Sequence, residues 1–251
     1  MNHPFPIITA HSGCMNTLDN TLLSVETGLK LGADVIEEDI MVTKDGVPVL
    51  SHDDIWTTPA GWEYRISQST FEEISLLQFE VKQGDHRETT RIYKLEEMLP
   101  LIQASGKIAN LDLKDDQSIE PVAALLKKHG LLEQAFYSGC EKDRAMKAQQ
   151  SNPEIRKMLN VDARNYLSMA YKDMVEQICQ DALDAACYGI NLHYLAVRPE
   201  LVEYASSKGL PIYIWTVNEE SLMKQYAEMG VASITTRNVL ALVQLKQRMQ
   251  R

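Results

Sequence analysis

Short β-branched runs alternate along this chain with longer stretches of helical period. Residues 7–10, Ile-Ile-Thr-Ala, read as a strand. Residues 20–30 then place Leu22, Val25 and Leu29 on one helical face, with Asp19 or Asn20 as the expected cap. Residues 35–40 read as a second strand. Lys44-Asp45-Gly46 is a tight turn, and 47–52 is a third strand. Beyond 53 the pattern weakens until about 91, apart from Thr70-Phe71-Glu72-Glu73, which has the form of a capping box opening one short helix. Strands are then expected at 108–113, 135–138, 156–161, 188–192, 212–217 and 233–235, with helices between them. Pro199 suits the first turn of one such helix, and Asn218 is the expected cap of the next.

Strands alternating with helices predict an α/β fold with a parallel sheet. The chain length of 251 residues suits a single TIM-type (β/α)8 barrel domain spanning 1–251, with a small insertion after the third strand at about 53–91. One strand is surplus to eight. The turn at Lys44-Asp45-Gly46 leaves no room for a helix, so the repeat is expected to break there. An open doubly wound sheet is the alternative. Its glycine-rich first turn is missing, since Gly13 stands alone.

Composition narrows the function. Asp plus Glu outnumber Lys plus Arg by 35 to 25, a net charge of −10, which argues against nucleic-acid binding and against a polybasic membrane anchor. Cys14, Cys140, Cys179 and Cys187 match no metal or disulfide spacing and are expected as free thiols in a reducing compartment. No run approaches the roughly 18 apolar residues of a membrane span, and the first residues lack a secretory pattern. The expected location is the cytoplasm, without stable membrane insertion.

The candidate chemistry lies at strand ends. His11 ends the first strand, and His52 ends the third. Glu37 and Asp39 lie two apart on the second, so they share a face. Asp112 and Lys114 lie two apart in the same way. In a barrel these C-terminal ends converge on one mouth. Any one of these residues alone reads as structural or solvated. Four successive strands each carrying ionisable groups in an apolar context point instead to a shared cation, because burying unpaired charge is costly. Three carboxylates offer hard oxygen ligands, suited to one divalent cation, Mg²⁺ or Ca²⁺. Lys114 suits an anion beside that metal, and two histidines can serve as general acid and base.

The segments His11-Ser12-Gly13, Asp19-Asn20-Thr21, Ile36-Glu37-Glu38-Asp39, Thr43-Lys44-Asp45-Gly46 and His52-Asp53 resemble the ordered motifs of the glycerophosphodiester phosphodiesterase family. So do Leu111-Asp112-Leu113-Lys114, Trp215-Thr216-Val217-Asn218 and the segment 230–238. The resemblance implies a metal-dependent barrel hydrolase whose substrate is a small-molecule phosphodiester. It implies His11 and His52 as acid and base, and Glu37, Asp39 and Asp112 as metal ligands. Lys114 would contact phosphate, and Trp215 would line the pocket. Ser12 stands where the family carries an Arg that helps hold phosphate, so a pocket wider and less positive is expected there, with Ser12 contacting the substrate. A different phosphodiester substrate, or a weakened relative that binds a phosphorylated ligand without efficient turnover, would accommodate that change. Arg237 and Arg65 are the candidates to replace the missing guanidinium.

Overall fold

The computed structural model describes residues 3–83, 86–166 and 168–250. Its strands are β1 (Ile7–Ala10), β2 (Val35–Val42), β3 (Pro48–Leu50), β4 (Ile55–Thr57), β5 (Glu63–Arg65), β6 (Phe79–Gln83), β7 (His86–Thr90), β8 (Ile108–Leu113), β9 (Ala135–Ser138), β10 (Met158–Val161), β11 (Gly189–His193), β12 (Ile212–Trp215) and β13 (Ser233–Thr236). Its helices are α1 (Leu22–Leu31), α2 (Phe71–Ile74), α3 (Leu95–Ser105), α4 (Ile119–His129), α5 (Lys142–Ser151), α6 (Tyr171–Asp184), α7 (Pro199–Ser207), α8 (Glu220–Met229) and α9 (Val239–Met249).

Eight strands run parallel in the order β10-β11-β12-β13-β1-β2-β8-β9. The ring shuts between β9 and β10, where Tyr137 bridges Lys157 and its N–H donates to the Arg156 carbonyl at 2.9 Å. The fold is therefore a TIM-type barrel, and the open-sheet alternative falls. The surplus strand is β3. It pairs antiparallel with β2 immediately after the Lys44-Asp45-Gly46 turn and is not a barrel stave. The irregular region that follows thus belongs to the second β/α unit, and Asp112 lies on the third stave. This region holds two hairpins, β4-β5 and β6-β7, that periodicity did not reveal. They surround a separate apolar cluster of Met41, Val49, Ile66, Ile74, Phe79 and Ile92, with Trp56 and Tyr64 edge-on to Phe79.

All eight residues of β2 are buried, as expected of a barrel strand covered on both faces. Its alternation decides the chemistry. Ile36, Glu38 and Ile40 face the helix layer, while Val35, Glu37 and Asp39 face the lumen. Val35 joins Phe136, Met158 and Tyr213 in an apolar plug at the bottom of the barrel. Polar side chains occupy the strands above it, so the lumen changes from apolar to polar toward the C-terminal ends. The four cysteines are free and buried.

Two caps differ from expectation, for one reason. The α1 cap is Thr21, whose Oγ1 accepts from the Ser24 N–H at 3.3 Å, because the Asn20 amide is engaged by Asp39. Glu219, not Asn218, precedes α8. The Asn218 Oδ1 instead accepts from the Arg237 N–H at 2.9 Å, tying the β12 end to the β13 end. In both places a side chain that suits a helix cap serves the barrel mouth instead.

Candidate active site

A cavity of about 730 Å³ opens at the C-terminal mouth of the barrel. His11, Glu37, Asp39, His52, Asp112, Lys114 and Trp215 all line it. Seven of the eight residues expected at the site are therefore brought together. Part of its rim comes from the irregular region, through Asp53, Ile55, Trp56 and Val81.

The carboxylates of Glu37, Asp39 and Asp112 offer oxygens within 4.8 Å of one another. Asp39 and Asp112 are direct register partners on β2 and β8. Asn20 locks Asp39 in place twice: its Nδ2 donates to Oδ2 at 3.2 Å, and its Oδ1 accepts from the Asp39 N–H at 3.1 Å. The Ser12 N–H donates to Glu37 Oε2 at 3.2 Å. Lys114 reaches Asp39 Oδ1 at 2.7 Å and Asp112 Oδ2 at 3.3 Å. Burial, then the neighbouring Asp39 and Asp112 charges, push Glu37 well above the usual carboxylate range. Burial also raises Asp112, against the pull of Lys114. For Asp39 burial acts in the same sense, but Lys114 and the Asn20 amide prevail and hold it low. One ammonium among three carboxylates leaves a surplus of negative charge. Asp112 Oδ1, Asn110 Oδ1 and Ser138 Oγ are also buried without a hydrogen-bond partner around this point. Hard oxygen donors, excess negative charge and orphaned polar atoms together fit a divalent cation.

Gly139 makes the third carboxylate possible. A Cβ there would stand 2.0 Å from Asp112 Oδ1, so a side chain would expel it. Gly13 plays the same part on the opposite rim. Its φ is +71°, and a Cβ would fall 1.7 Å from Asp19 Oδ1.

The histidines differ in setting. His11 Nδ1 lies 2.8 Å from the Ser12 carbonyl, which can only accept, so Nδ1 carries the hydrogen and Nε2 keeps its lone pair. Burial, together with the nearby Arg237 guanidinium, lowers the His11 pKa below its ordinary value. The His52 side chain is exposed and orients its Nδ1 toward Asp53 Oδ1 at 2.8 Å. Its charge is nevertheless felt at Asp39 and Asp112, in keeping with its place on the cavity wall.

Ser12 is the exception among the expected residues. It is 1% exposed and absent from the cavity wall. Strand alternation explains this: His11 faces the lumen, so its neighbour faces outward. The Ser12 Oγ donates to the buried Glu38 at 2.7 Å and accepts from the Asn20 N–H at 2.6 Å. No widened pocket follows from its small side chain. The cation on that rim is Arg237, which directly follows β13. It lines the cavity and forks Asp19 with Nη1–Oδ1 at 2.5 Å and Nη2–Oδ2 at 3.0 Å. Arg65 pairs with Asp54 at 3.1 Å, away from the cavity wall. Arg144 also lines the cavity, but its N–H groups are taken by the carbonyls of Leu113, Gly139 and Lys114 and by Asp116. Asn20, expected as a helix cap, and Arg144 are further residues of the cavity wall. The Asp19-Asn20-Thr21 segment pointed toward the first, and nothing in the spacing signalled the second.

Comparisons with known proteins agree with this geometry. A curated glycerophosphodiester phosphodiesterase of Caldanaerobacter subterraneus is 25% identical over 245 residues, covering 95% of this chain and 97% of the relative. One from Bacillus subtilis is 28% identical, covering 93% and 84%. Among solved structures, a glycerophosphodiester phosphodiesterase from Parabacteroides distasonis superposes with a TM-score of 0.79 at 19% identity, covering 99% of this chain and 100% of that one. An Oleispira antarctica phosphodiesterase, solved with the product sn-glycerol-3-phosphate, gives 0.80 at 23% identity, covering 97% of each. At these identities the structures establish a shared fold. The profile of the glycerophosphoryl diester phosphodiesterase family matches residues 10–241, nearly the whole barrel with its acidic mouth, and the chain belongs to that family.

Proposed function

We propose that the protein hydrolyses glycerophosphodiesters or close analogues to an alcohol and a glycerol phosphate, using one divalent cation, Mg²⁺ or Ca²⁺. Glu37, Asp39 and Asp112 are the residues that would hold the cation. When bound, such an ion sets positive charge against the phosphoryl oxygens and lowers the pKa of a hydroxyl beside it. Lys114 and the N–H groups of Arg237 that Asp19 leaves free take the remaining phosphoryl oxygens through charge-assisted hydrogen bonds. His11 Nε2 accepts the proton of the attacking hydroxyl; where that hydroxyl is the substrate's own, the cyclic phosphodiester formed is opened by water in a second step to give the glycerol phosphate. A new P–O bond forms as the P–O bond to the alcohol breaks, and His52 delivers a proton to the leaving oxygen. Asp53 orients the His52 ring for that transfer. Trp215 forms a wall for the substrate's organic part.

The observation that carries this reading is the meeting of three carboxylates, Lys114, Arg237 and two histidines in one cavity of a family member. The weakened-relative reading drew on Ser12, and Arg237 on the same rim speaks for turnover instead. We place the chain in the cytoplasm as a single barrel domain acting on small molecules rather than nucleic acid. Among the described residues no helix is long and apolar enough to cross a membrane. The test is an assay of glycerophosphocholine and related diesters with added Mg²⁺ or Ca²⁺, following release of glycerol phosphate. Cleavage that a chelator abolishes is expected. Absence of product with either ion would sink the proposal.

A further inference from the structure

Arg144 breaks a local rule. It sits in the first turn of α5, where the helix dipole favours anions and disfavours a cation. It lines the acidic cavity, yet its guanidinium serves the backbone. The reason lies where two staves end. β8 and β9 pair from Ala109 and Ala135 up to Asp112 and Ser138, and there the ladder stops. Gly139 then turns the chain away with a φ of +68°. Beyond the last pair, the carbonyls of Leu113 and Gly139 meet at one nitrogen: Arg144 Nη1 donates to both, at 2.6 Å each. Leu113 is fully buried, so without that donor its carbonyl would be a buried acceptor lacking a partner. Nη2 donates to the Lys114 carbonyl at 3.2 Å, and Nε donates to Asp116 Oδ1 at 2.8 Å, which anchors the guanidinium.

These bonds fall on the backbone that carries the site. The Lys114 N–H donates to the Ile40 carbonyl of β2 at 3.0 Å, so with Arg144 on its own carbonyl Lys114 is held on both sides. Its side chain points at Asp39 and Asp112 from that fixed base. Asp112 is confined from the β9 side, where a Cβ on Gly139 would stand 2.0 Å from its Oδ1 and 2.4 Å from the Leu113 carbonyl oxygen. We infer that Arg144 is a positioning residue: it stitches the ends of β8 and β9 together past their last pair and so fixes the aim of Asp112 and Lys114, with no contact of its own to the reacting atoms. What that aim serves rests on the phosphodiesterase reading. A lysine cannot take the place, because a point charge on a flexible stem does not present a planar fork to three carbonyls and a carboxylate.

Arg144→Lys therefore keeps the charge and removes the stitch. Calorimetric titration of the metal-free variant with Mg²⁺ or Ca²⁺ should give a Kd raised roughly 10- to 100-fold, the usual cost of losing a group that orients a metal ligand. KM for glycerophosphocholine at saturating cation should rise about tenfold, as Lys114 loses its aim. The control is Lys142→Ala, which removes the ion pairs of Lys142 with Asp181 and Asp184 at the start of the same helix. Both constants should stay at wild-type values there. Either constant unchanged in Arg144→Lys overturns the inference. So does an equal rise in Lys142→Ala, since any loosening of α5 would then suffice. Should Arg144→Lys fail to fold by circular dichroism, Asp116→Ala decides. Asp116 is exposed and holds the guanidinium by one bond, so its removal should raise the cation Kd about threefold. No change there overturns the inference. A wild type that releases no glycerol phosphate sinks the phosphodiesterase reading instead, while the cation titration still decides on Arg144.

Discussion

At the mouth of the barrel, β2 and β8 present Glu37, Asp39 and Asp112, while β10 and β11, across the lumen, present Asn160 and Asn191. One hydrogen bond joins the two amides, the Asn191 Nδ2 donating to Asn160 Oδ1 at 2.9 Å. They carry no charge, and the surface adjoining them mixes Met169, Met174 and Leu195 with Glu141, Asp162, Arg164 and Arg198. The carboxylates across the lumen have no comparable solution among themselves. Like charges at this separation disfavour one another's ionisation, and Lys114 answers only part of the excess. One half of the mouth is uncharged on its strands, and the other holds a surplus of negative charge.

The sharpest way to break this division is to neutralise its acidic half. Asp39→Asn should cost the most, abolishing turnover at cation concentrations that saturate the wild type and lowering Mg²⁺ or Ca²⁺ affinity in a calorimetric titration. Cation affinity left unchanged would remove Asp39 from the ligand set. Asp112→Asn should have effects of opposite sign. It should raise the melting temperature of the metal-free protein by relieving repulsion, and reduce the stabilisation that saturating cation confers, which is about 2.7 kcal/mol at a hundred times Kd. Next come His11→Ala and His52→Ala, each expected to lower kcat by about 10²- to 10⁴-fold with the fold retained by circular dichroism. Arg237→Ala should act mainly on binding, a loss of about 1.5–3 kcal/mol seen as a raised KM. Ser12→Ala, by contrast, should cost about 1–3 kcal/mol of stability through the hydrogen bond it takes from the buried Glu38, with KM unmoved. The smallest effect belongs to the neutral half. Replacing Asn160 and Asn191 together by Leu removes both partners of one hydrogen bond, so melting temperature and cation affinity should stay close to wild type. A fall in cation affinity rivalling that of Asp39→Asn would erase the distinction between the halves.

The barrel was legible because its staves are short apolar runs separated by helical periods. The surplus strand was legible because Lys44-Asp45-Gly46 leaves no space for a helix. The hairpins between β3 and α3 were not. Their few inward residues, such as Ile66 and Phe79, are spread among polar positions and form a cluster only when folded together. At the site, alternation located the lumen-facing carboxylates correctly, since Glu37 and Asp39 share a face. The same rule, applied from His11, turns Ser12 outward toward Glu38, where no substrate reaches it. Arg237 was legible only as an alternative, because its role depends on Asp19, 218 positions away.

That distance has a consequence for how the molecule is made. The barrel is joined by Ile7–Ala10 lying beside Ser233–Thr236, so its first and last staves are neighbours. A chain leaving the ribosome from its N-terminus can assemble β1, β2 and β8, with all three carboxylates in place, long before the last stave exists. Until then β1 and β12 are open edges, able to recruit strands from other chains, and the closing contacts span nearly the full sequence, which makes closure a late and slow step. Arg237 follows the last stave directly and seals this seam by gripping Asp19. A ribosome stalled before Ser233 would therefore present a nascent chain with a formed acidic patch and two sticky edges, the state in which a chaperone has most to do.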